Sequence, residues 1–313
     1  MSTISIVVPC YNEEESINLF YNEVEKVFTQ MHDSNMPYEP EYWFVNDGSS
    51  DNTLKILQDL QSRESQNVHF ISFSRNFGKE AALAAGLTAT TGELVTVMDV
   101  DLQDPPELLP KMIKLIETEN YDCVGTIQHD RAGQGKVRAF LSSAFYRVVN
   151  WVSNVRIEPN ARDYRLMTRQ MVNSVLSLPE YNRFSKGIFA WVGFKTTYIQ
   201  YESQPRAAGK THWSMSQLLE YSLEGIIDFS DVPLKLATWI GAISFLLSIF
   251  GLIFVVLRAL IVGGSVAGWA SLVSIVLLLG GIQLFCLGLL GNYISKIYLE
   301  TKHRPKYIIK EQK

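Results

Sequence analysis

The chain has 313 residues, of which 47% are hydrophobic and 19% are charged, and its net charge is −4. A negative net charge without long runs of lysine and arginine excludes nucleic acid as an expected partner. The three cysteines, Cys10, Cys123 and Cys286, stand in unrelated contexts. This odd count argues against a disulfide framework, so we expect the large domain to be cytoplasmic.

Short β-branched runs alternate with longer amphipathic stretches ahead of the last quarter of the chain, which is typical of a mostly parallel sheet covered by helices. The predicted strands are residues 4–9, 42–46, 68–73, 94–98 and 122–127. The predicted helices are residues 16–31, 52–63, 79–89 and 106–119. The fold class is therefore α/β, in one domain of about 230 residues with its own core.

Two later stretches, residues 136–155 and 213–229, are amphipathic and rich in aromatic side chains. Core packing is one interpretation of both. The other is that they lie in the lipid headgroup plane and dock the domain onto a bilayer. Residues 230–233 (SDVP) then interrupt the helical pattern.

The last quarter contains two uncharged runs, residues 236–257 and 259–295, separated by Arg258. Each is longer than the ~20 residues that a helix needs to cross a hydrocarbon core of ~30 Å. A cluster of basic residues follows the second run, so the positive-inside rule predicts that both termini are cytoplasmic. These residues include Lys296, Lys302, Arg304, Lys306 and Lys310.

The domain prediction therefore has four parts. They are a catalytic domain (1–212), an interfacial segment (213–233), two transmembrane helices (234–296) and a basic cytoplasmic tail (297–313).

Polar turns follow three of the predicted strands, at residues 11–13, 47–51 and 99–101. In an open α/β sheet the ligand site lies beyond the carboxyl ends of the strands, so these turns should converge. Asp47 is expected to accept hydrogen bonds from a base or a ribose. For Asp51, the alternative is a helix cap.

Asp99 and Asp101 are two residues apart at the end of an apolar strand. That spacing predicts two carboxylates on one side, which share a hard divalent cation. Without a cation the two charges would repel, and Mg²⁺ or Mn²⁺ carrying a diphosphate removes the conflict. The alternative is a pair of solvated carboxylates in a loop.

Four segments resemble signatures of inverting family 2 glycosyltransferases with the GT-A fold. They are residues 8–13 (VPCYNE), 46–53 (NDGSSDNT), 74–79 (SRNFGK) and 99–106 (DVDLQDPP). With the apolar hairpin, nearly the whole chain resembles the polyprenyl-phosphate glycosyltransferases, which include dolichyl-phosphate mannose synthase and the bactoprenol glucosyltransferases. The chain departs from that pattern at Asn46, where the family often has Asp, and at Cys10, where it commonly has a small residue.

The resemblance implies roles for individual side chains. The expected nucleotide-binding residues are Pro9, Tyr11, Glu13, Asp47 and Asp99. The expected metal ligands are Asp99, Asp101 and Gln103. The expected catalytic residues are Asp163, Asp101 and Arg206. The expected phosphate or acceptor contacts are Gln103, Arg131, Lys136, Arg162, Arg165, Lys210 and His212, with ordinary surface charge as the alternative for the arginines.

Two of these contacts lie in a loop, residues 206–214, that resembles the family's Arg-x-x-Gly-x-Ser-Lys-aromatic loop. Thr211 and His212 replace the usual Ser and Lys, so a phosphate contact from His212 would depend on pH. Residues 160–167 resemble the family segment that carries an aspartate near the acceptor. Asp163 is expected to be a base or an acceptor-orienting group, and orientation is favoured because a phosphate acceptor is already anionic.

The prediction is a membrane-anchored enzyme that moves one sugar from a nucleotide sugar to undecaprenyl or another polyprenyl phosphate. UDP-glucose and UDP-N-acetylglucosamine are the leading donors, followed by GDP-mannose. The resemblance also suggests a homo-oligomer, with a tetramer as one arrangement. Three alternatives are a transferase to another lipid such as diacylglycerol, a processive polysaccharide synthase and a non-catalytic scaffold. The synthase is disfavoured because the chain lacks Gln-x-x-Arg-Trp.

Overall fold

A computed structural model describes residues 2–128, 158–202, 232–262 and 268–313. These residues divide into two compact units. Residues 2–128, 158–202 and 305–313 form the first unit, and residues 232–262 and 268–304 belong to the second.

The first unit is built on a sheet of eight described strands in the order β7-β5-β6-β4-β1-β2-β3-β8. Its central strands, β4, β1, β2 and β3, are parallel, and β5 and β7 also pair in parallel. Strands β6 and β8 pair antiparallel to their neighbours. The strands are β1 Ser2–Cys10, β2 Tyr38–Asn46, β3 Val68–Phe73, β4 Leu94–Val97, β5 Cys123–Gln128, β6 Ala161–Thr168, β7 Thr196–Tyr201 and β8 Ile309–Gln312.

Six described helices belong to this unit, and the predicted α/β class with a mostly parallel sheet is confirmed. The helices are α1 Ile17–Asp33, α2 Thr53–Arg63, α3 Lys79–Ala89, α4 Leu109–Glu119, α5 Arg169–Leu176 and α6 Ser185–Trp191. A short 3₁₀ turn, Pro106–Leu108, precedes α4, with Pro106 in its first position, where a missing N–H costs nothing.

Both faces of the central strands are buried, because side chains alternate across a strand. Ile4, Ile6 and Val8 of β1 pack with α1 and α4 in the larger core cluster. Trp43 and Val45 of β2 pack against the alanines of α3 in the second cluster. Continuous apolar runs therefore mark the central strands of this sheet, and polar residues appear where the strands end.

The second unit consists of α7, Val232–Val262, and α8, Trp269–Thr301. Large apolar side chains are exposed on both helices, as at Phe250 (69%) and Leu284 (71%). Among the described residues, the stretch Leu278–Thr301 is long and apolar enough to cross a membrane, whereas the apolar stretch Ala237–Gly251 is shorter. One candidate span is thus found, and the second stays a prediction.

The chain returns to the first unit after α8. Strand β8 pairs with β3, the ring of Tyr307 stacks on Phe73 at 4.9 Å between centroids, and Phe70 and Lys313 exchange two backbone hydrogen bonds. The predicted tail, residues 297–313, therefore contains the end of α8 and an edge strand of the sheet. Residues 307–309 are hydrophobic, as expected for a strand, but the basic residues around them made the segment look like a charged tail.

Candidate functional site

The turns after β1 and β2 interlock at the carboxyl edge of the sheet, as predicted. The Asn12 N–H donates to Ser49 Oγ (2.9 Å), and the Ser50 N–H donates to Asn12 Oδ1 (2.9 Å). The Glu13 N–H donates to Thr53 Oγ1 at the start of α2 (2.9 Å). These bonds fix the backbone that carries the expected nucleotide contacts Pro9, Tyr11 and Glu13.

Asp51 lies one residue before the N-cap Asn52, in the turn that leads into α2, which is close to the alternative given for that residue. The Thr53 N–H donates to Asp51 Oδ1 (3.0 Å), and the Glu14 N–H donates to Asp51 Oδ2 (3.2 Å). A carboxylate at a helix start satisfies N–H groups that have no partner within the helix. Asp51 therefore joins the two turns and α2.

Asp47 is buried, with 4% of its surface exposed, and both its carboxylate oxygens are engaged. The backbone N–H groups of Phe77 and Gly78 donate to Oδ1 at 2.6 Å and to Oδ2 at 2.9 Å. Burial raises the pKa of Asp47 above its ordinary value, although the two N–H groups oppose this rise. Asp47 thus holds residues 74–78, which we call the donor loop for the role proposed for it, and the expected contact of Asp47 with a base or ribose stays a prediction.

Gly48 explains why the donor loop lies so close to the turn after β2. Its φ of +64° is in the left-handed region, which side chains other than glycine's disfavour. A Cβ at this position would lie 2.3 Å from the carbonyl carbon of Arg75 and 2.5 Å from the backbone nitrogen of Asn76. Only a glycine permits this approach of the two backbones.

The two aspartates of the Asp-x-Asp segment lie in a turn, because β4 ends at Val97. Strand alternation, the basis of the sequence argument, therefore does not orient them. Asp101 is 7% exposed, and its Oδ1 accepts a hydrogen bond from the Gln103 N–H (3.2 Å). Leu102, between Asp101 and Gln103, adopts a left-handed φ of +56°.

Lys79, the first residue of α3, connects Asp99 to Asp163 on β6. Its Nζ lies 2.6 Å from Asp99 Oδ1 and 2.6 Å from Asp163 Oδ2. The structure thus brings together a predicted metal ligand and the predicted acceptor-side aspartate. The sequence analysis included Lys79 in a motif but gave it no role, since 84 residues separate it from Asp163.

Neighbouring charges determine the protonation states of Lys79 and Asp163. Burial alone would raise the pKa of Asp163, but Lys79, followed by Lys186, holds it well below its ordinary value. Burial alone would lower the pKa of Lys79, yet Asp163 and Asp99 hold it well above its ordinary value. Lys79 is therefore an ammonium and Asp163 a carboxylate at neutral pH.

Arg162, a predicted phosphate contact, is engaged by an aspartate that the sequence analysis did not single out. Its Nε donates to Asp104 Oδ1 (3.0 Å), and its Nη2 lies 3.5 Å from Gln103 Oε1. The Tyr201 hydroxyl also donates to Asp104. The ion pair between Arg162 and Asp104 links β6 to the loop that contains the Asp-x-Asp segment, and it holds Arg162 beside Gln103.

Arg165, another predicted contact, is buried beneath α6, and its guanidinium lies 4.0 Å from the centroid of the Phe189 ring. It donates to the backbone oxygens of Arg162 and Asp163. Arg165 and Lys186 both line a cavity of about 230 Å³. The remaining predicted contacts, Arg131, Lys136, Arg206, Lys210 and His212, lie outside the described residues, as does most of the interfacial segment 213–233.

The residues fit a divalent cation that is shared with its substrate. In the described part of the chain, no group of three or more His, Cys, Asp or Glu side chains is arranged to hold a metal ion. Asp99 does bind a cation, the Lys79 ammonium, and Asp101 and Gln103 follow in the same turn. Carboxylate and amide oxygens are hard ligands, and Mg²⁺ is usually bound by one or two carboxylates together with substrate phosphates.

Comparison with known proteins gives two family matches. The description of the first is "Glycosyl transferase family 2", over residues 5–177, and that of the second is "GtrB C-terminal hairpin", over residues 232–297. The putative glycosyltransferase CsbB of Bacillus subtilis (strain 168) is 45% identical over 308 residues, which are 98% of this chain and 91% of that protein. The bactoprenol glucosyl transferase of Shigella phage SfX is 42% identical over 310 residues, 99% of each chain.

Among solved structures, glucosyl-3-phosphoglycerate synthase from Mycobacterium tuberculosis, in complex with Mn²⁺, uridine diphosphate and phosphoglyceric acid, is 20% identical. The match covers 72% of this chain and 76% of that chain, with a TM-score of 0.47.

The resemblance predicted from the four motifs and the hairpin is confirmed, and so is the prediction of a hexosyltransferase. A non-catalytic scaffold is thereby excluded. The family match spans the donor-loop and Asp-x-Asp segments described above, and the chain belongs to glycosyl transferase family 2.

Proposed function

We propose that this enzyme transfers one sugar, with inversion, from a nucleoside diphosphate sugar to a polyprenyl phosphate at the cytoplasmic face of the membrane. The observation that carries the proposal is the Lys79 bridge, since it joins the carboxylate expected to face the donor diphosphate to the one expected to face the acceptor. The relatives named bactoprenol glucosyl transferase support the lipid acceptor and favour UDP-glucose, ahead of UDP-N-acetylglucosamine.

The chemistry is a single displacement at the anomeric carbon. An oxygen of the acceptor phosphate attacks from the face opposite the leaving group, a new carbon–oxygen bond forms, and the nucleoside diphosphate leaves with the electron pair of the broken bond. Asp99 and Asp101 would hold Mg²⁺ or Mn²⁺, which supplies positive charge for the leaving diphosphate when it is bound. The donor loop, fixed by Asp47, would form a wall of the donor site.

Asp163 orients the acceptor side rather than removing a proton. A carboxylate whose pKa lies well below its ordinary value is a weak base. An acceptor phosphate is largely anionic at pH 7 and scarcely needs a base. Asp163 instead holds the Lys79 ammonium in place, and Lys186 adds positive charge near the same carboxylate.

The course of the chain supports two membrane crossings. Residues 305–313 lie in the same unit as residues 2–128, so the chain between them must cross a bilayer an even number of times. The hairpin match over residues 232–297 and the span-length stretch in α8 are consistent with two crossings. We therefore propose that both termini lie on one side of the membrane, and the basic residues that follow the second apolar run favour the cytoplasmic side.

The test uses the purified full chain in nanodiscs with undecaprenyl phosphate and three donors: UDP-glucose, UDP-N-acetylglucosamine and GDP-mannose. We expect one donor to give a lipid whose mass increases by a single sugar, and Asp99→Asn to give none. A product on diacylglycerol, or a polymer, with no sugar on the polyprenyl phosphate would refute the acceptor assignment. Labelling of Ser265→Cys from the cytoplasmic side, in inverted membrane vesicles, would refute the topology. Mass photometry of the same sample tests the predicted homo-oligomer.

A further inference from the structure

We propose that Lys79 is a positioning residue that occupies the cation position of Asp99 in the donor-free enzyme, so that a divalent cation binds together with the nucleotide and not alone. This inference rests on the proposed function, because it assumes that Asp99 is a metal ligand. Lys79 belongs to the 74–79 motif. It contacts both Asp99, on the expected donor side, and Asp163, on the expected acceptor side.

The contacts place the ammonium where it competes with a cation. Lys79 Nζ is 2.6 Å from Asp99 Oδ1, and the side chains of both residues are partly exposed, at 35% and 25%. A Mg²⁺ ion lies about 2.1 Å from its carboxylate ligands. If both bound Asp99 Oδ1, the ion and the ammonium would be separated by at most about 5 Å, a distance at which their positive charges repel each other.

The backbone of Lys79 is held on both sides, so the ammonium cannot leave by a shift of the loop. The Gly78 N–H before it donates to Asp47, and the Glu80 carboxylate after it accepts hydrogen bonds from Ser185 of α6. Only the flexible stem of the lysine can move. The ammonium can therefore exchange its two carboxylate contacts for one, to Asp163, without leaving the site.

Asp163 supplies the second partner for that exchange. Its Oδ2 lies 2.6 Å from Nζ, so Lys79 keeps an ion pair when a metal ion takes Asp99. A metal ion that arrives alone must weaken the contact between Lys79 and Asp99 and then lies beside the ammonium. A diphosphate brings the negative charge that offsets both cations. Metal and nucleotide binding are therefore coupled, and the coupling is reciprocal.

The test is a titration of the full chain in nanodiscs with Mn²⁺, followed by the electron paramagnetic resonance signal of the free ion, with and without UDP. In the wild-type enzyme we expect UDP to tighten Mn²⁺ binding about tenfold or more. In Lys79→Met we expect Mn²⁺ alone to bind several-fold tighter than in wild type, and the effect of UDP to shrink accordingly. Asp99→Asn should weaken Mn²⁺ binding with and without UDP.

Lys186→Met is the matched control. It also removes one positive charge near Asp163, but the Lys186 ammonium donates to the backbone oxygen of Ala161 rather than to Asp99. We expect its Mn²⁺ affinity to match that of wild type. An equal gain in Lys186→Met would overturn the proposal, because the effect would then be one of general charge.

A Lys79→Met enzyme that binds Mn²⁺ alone no tighter than wild type would also overturn it. Melting curves establish that each variant is folded, and Lys79→Gln, which keeps hydrogen bonds to the carboxylates without the charge, replaces Lys79→Met if that variant does not fold. Mn²⁺ should raise the melting temperature of the neutral variant more than that of wild type. The titration uses UDP without lipid, so its failure leaves the lipid-product assay, and with it the proposed function, independently testable.

Discussion

Replacement of Asp47 by alanine tests whether this carboxylate anchors the donor loop or serves only as a nucleotide contact. In the structure, Asp47 accepts hydrogen bonds from the Phe77 and Gly78 N–H groups without any ligand present. Asp47→Ala removes both acceptors and leaves two partly buried N–H groups without them. A residue that contacted only the nucleotide would leave the donor-free protein unaffected.

The expected loss of stability follows from these two contacts. A hydrogen bond to a charged group contributes about 1.5–3 kcal/mol, but the raised pKa of Asp47 shows that burial of its charge offsets part of this gain. We therefore expect the free energy of unfolding to fall by about 2 kcal/mol. For a domain of this size, that corresponds to a melting temperature lower by about 4–8 °C.

The assay is thermal unfolding of the full chain without donor, followed by calorimetric titration with UDP-glucose. We expect Asp47→Ala to lower both the melting temperature and the donor affinity, and Asp47→Asn, which keeps one acceptor oxygen, to lower the melting temperature by less. Glu23→Ala is the control, because it removes a carboxylate from an exposed ion pair with Lys26 and should change neither quantity. An unchanged donor-free melting temperature with lost donor affinity would refute the anchoring role.

Four further predictions concern the same unit. Gly48→Ala should displace the donor loop by about 1 Å to relieve the 2.3 Å contact, and should weaken UDP binding far more than Gly78→Ala, whose Cβ would have open space although its backbone (φ +95°, ψ 159°) disfavours a side chain even more; equal losses in calorimetry would contradict the role of the close approach. Asp163→Ala should leave UDP-glucose affinity nearly intact and depress lipid transfer. Because the pKa of Asp163 is lowered in the folded state, its carboxylate stabilises the fold above about pH 4, and this stabilisation is lost as the pH falls further. The melting temperature of Asp163→Asn should therefore depend less on pH between about 5 and 3 than that of wild type. Tyr307→Ala should lower the melting temperature through loss of the stack on Phe73, and an unchanged melting temperature would argue against the docking of the C-terminal strand.

Local sequence patterns predicted five of the eight described strands. The five predicted strands and four predicted helices are present, with shifts at their ends such as the start of β2 at Tyr38 and the end of β4 at Val97. These elements are recognisable because their apolar residues repeat at the period of a strand or a helix. The turns between them carry the family motifs, so the location of the site at the carboxyl edge was also determined by the sequence.

Long-range pairing was decided only by the tertiary structure. Strand β6 lies antiparallel between β4 and β5, and β8 returns from the hairpin to pair with β3. Periodicity shows that a segment is extended, but not which edge it joins or in which direction, because those choices depend on the whole sheet. The C-terminal residues therefore looked like a charged tail.

The roles of side chains within the site divide in the same way. The sequence identified Asp47 and Asp99 as polar residues at strand ends, and the family resemblance identified Asp163 as a residue of the acceptor side. Only the fold decided that Asp47 holds the donor loop and that Lys79 joins Asp99 to Asp163. Lys79 meets Asp163 because the fold brings the start of α3 close to β6, and that arrangement depends on buried contacts distributed along the whole domain, which no single motif contains.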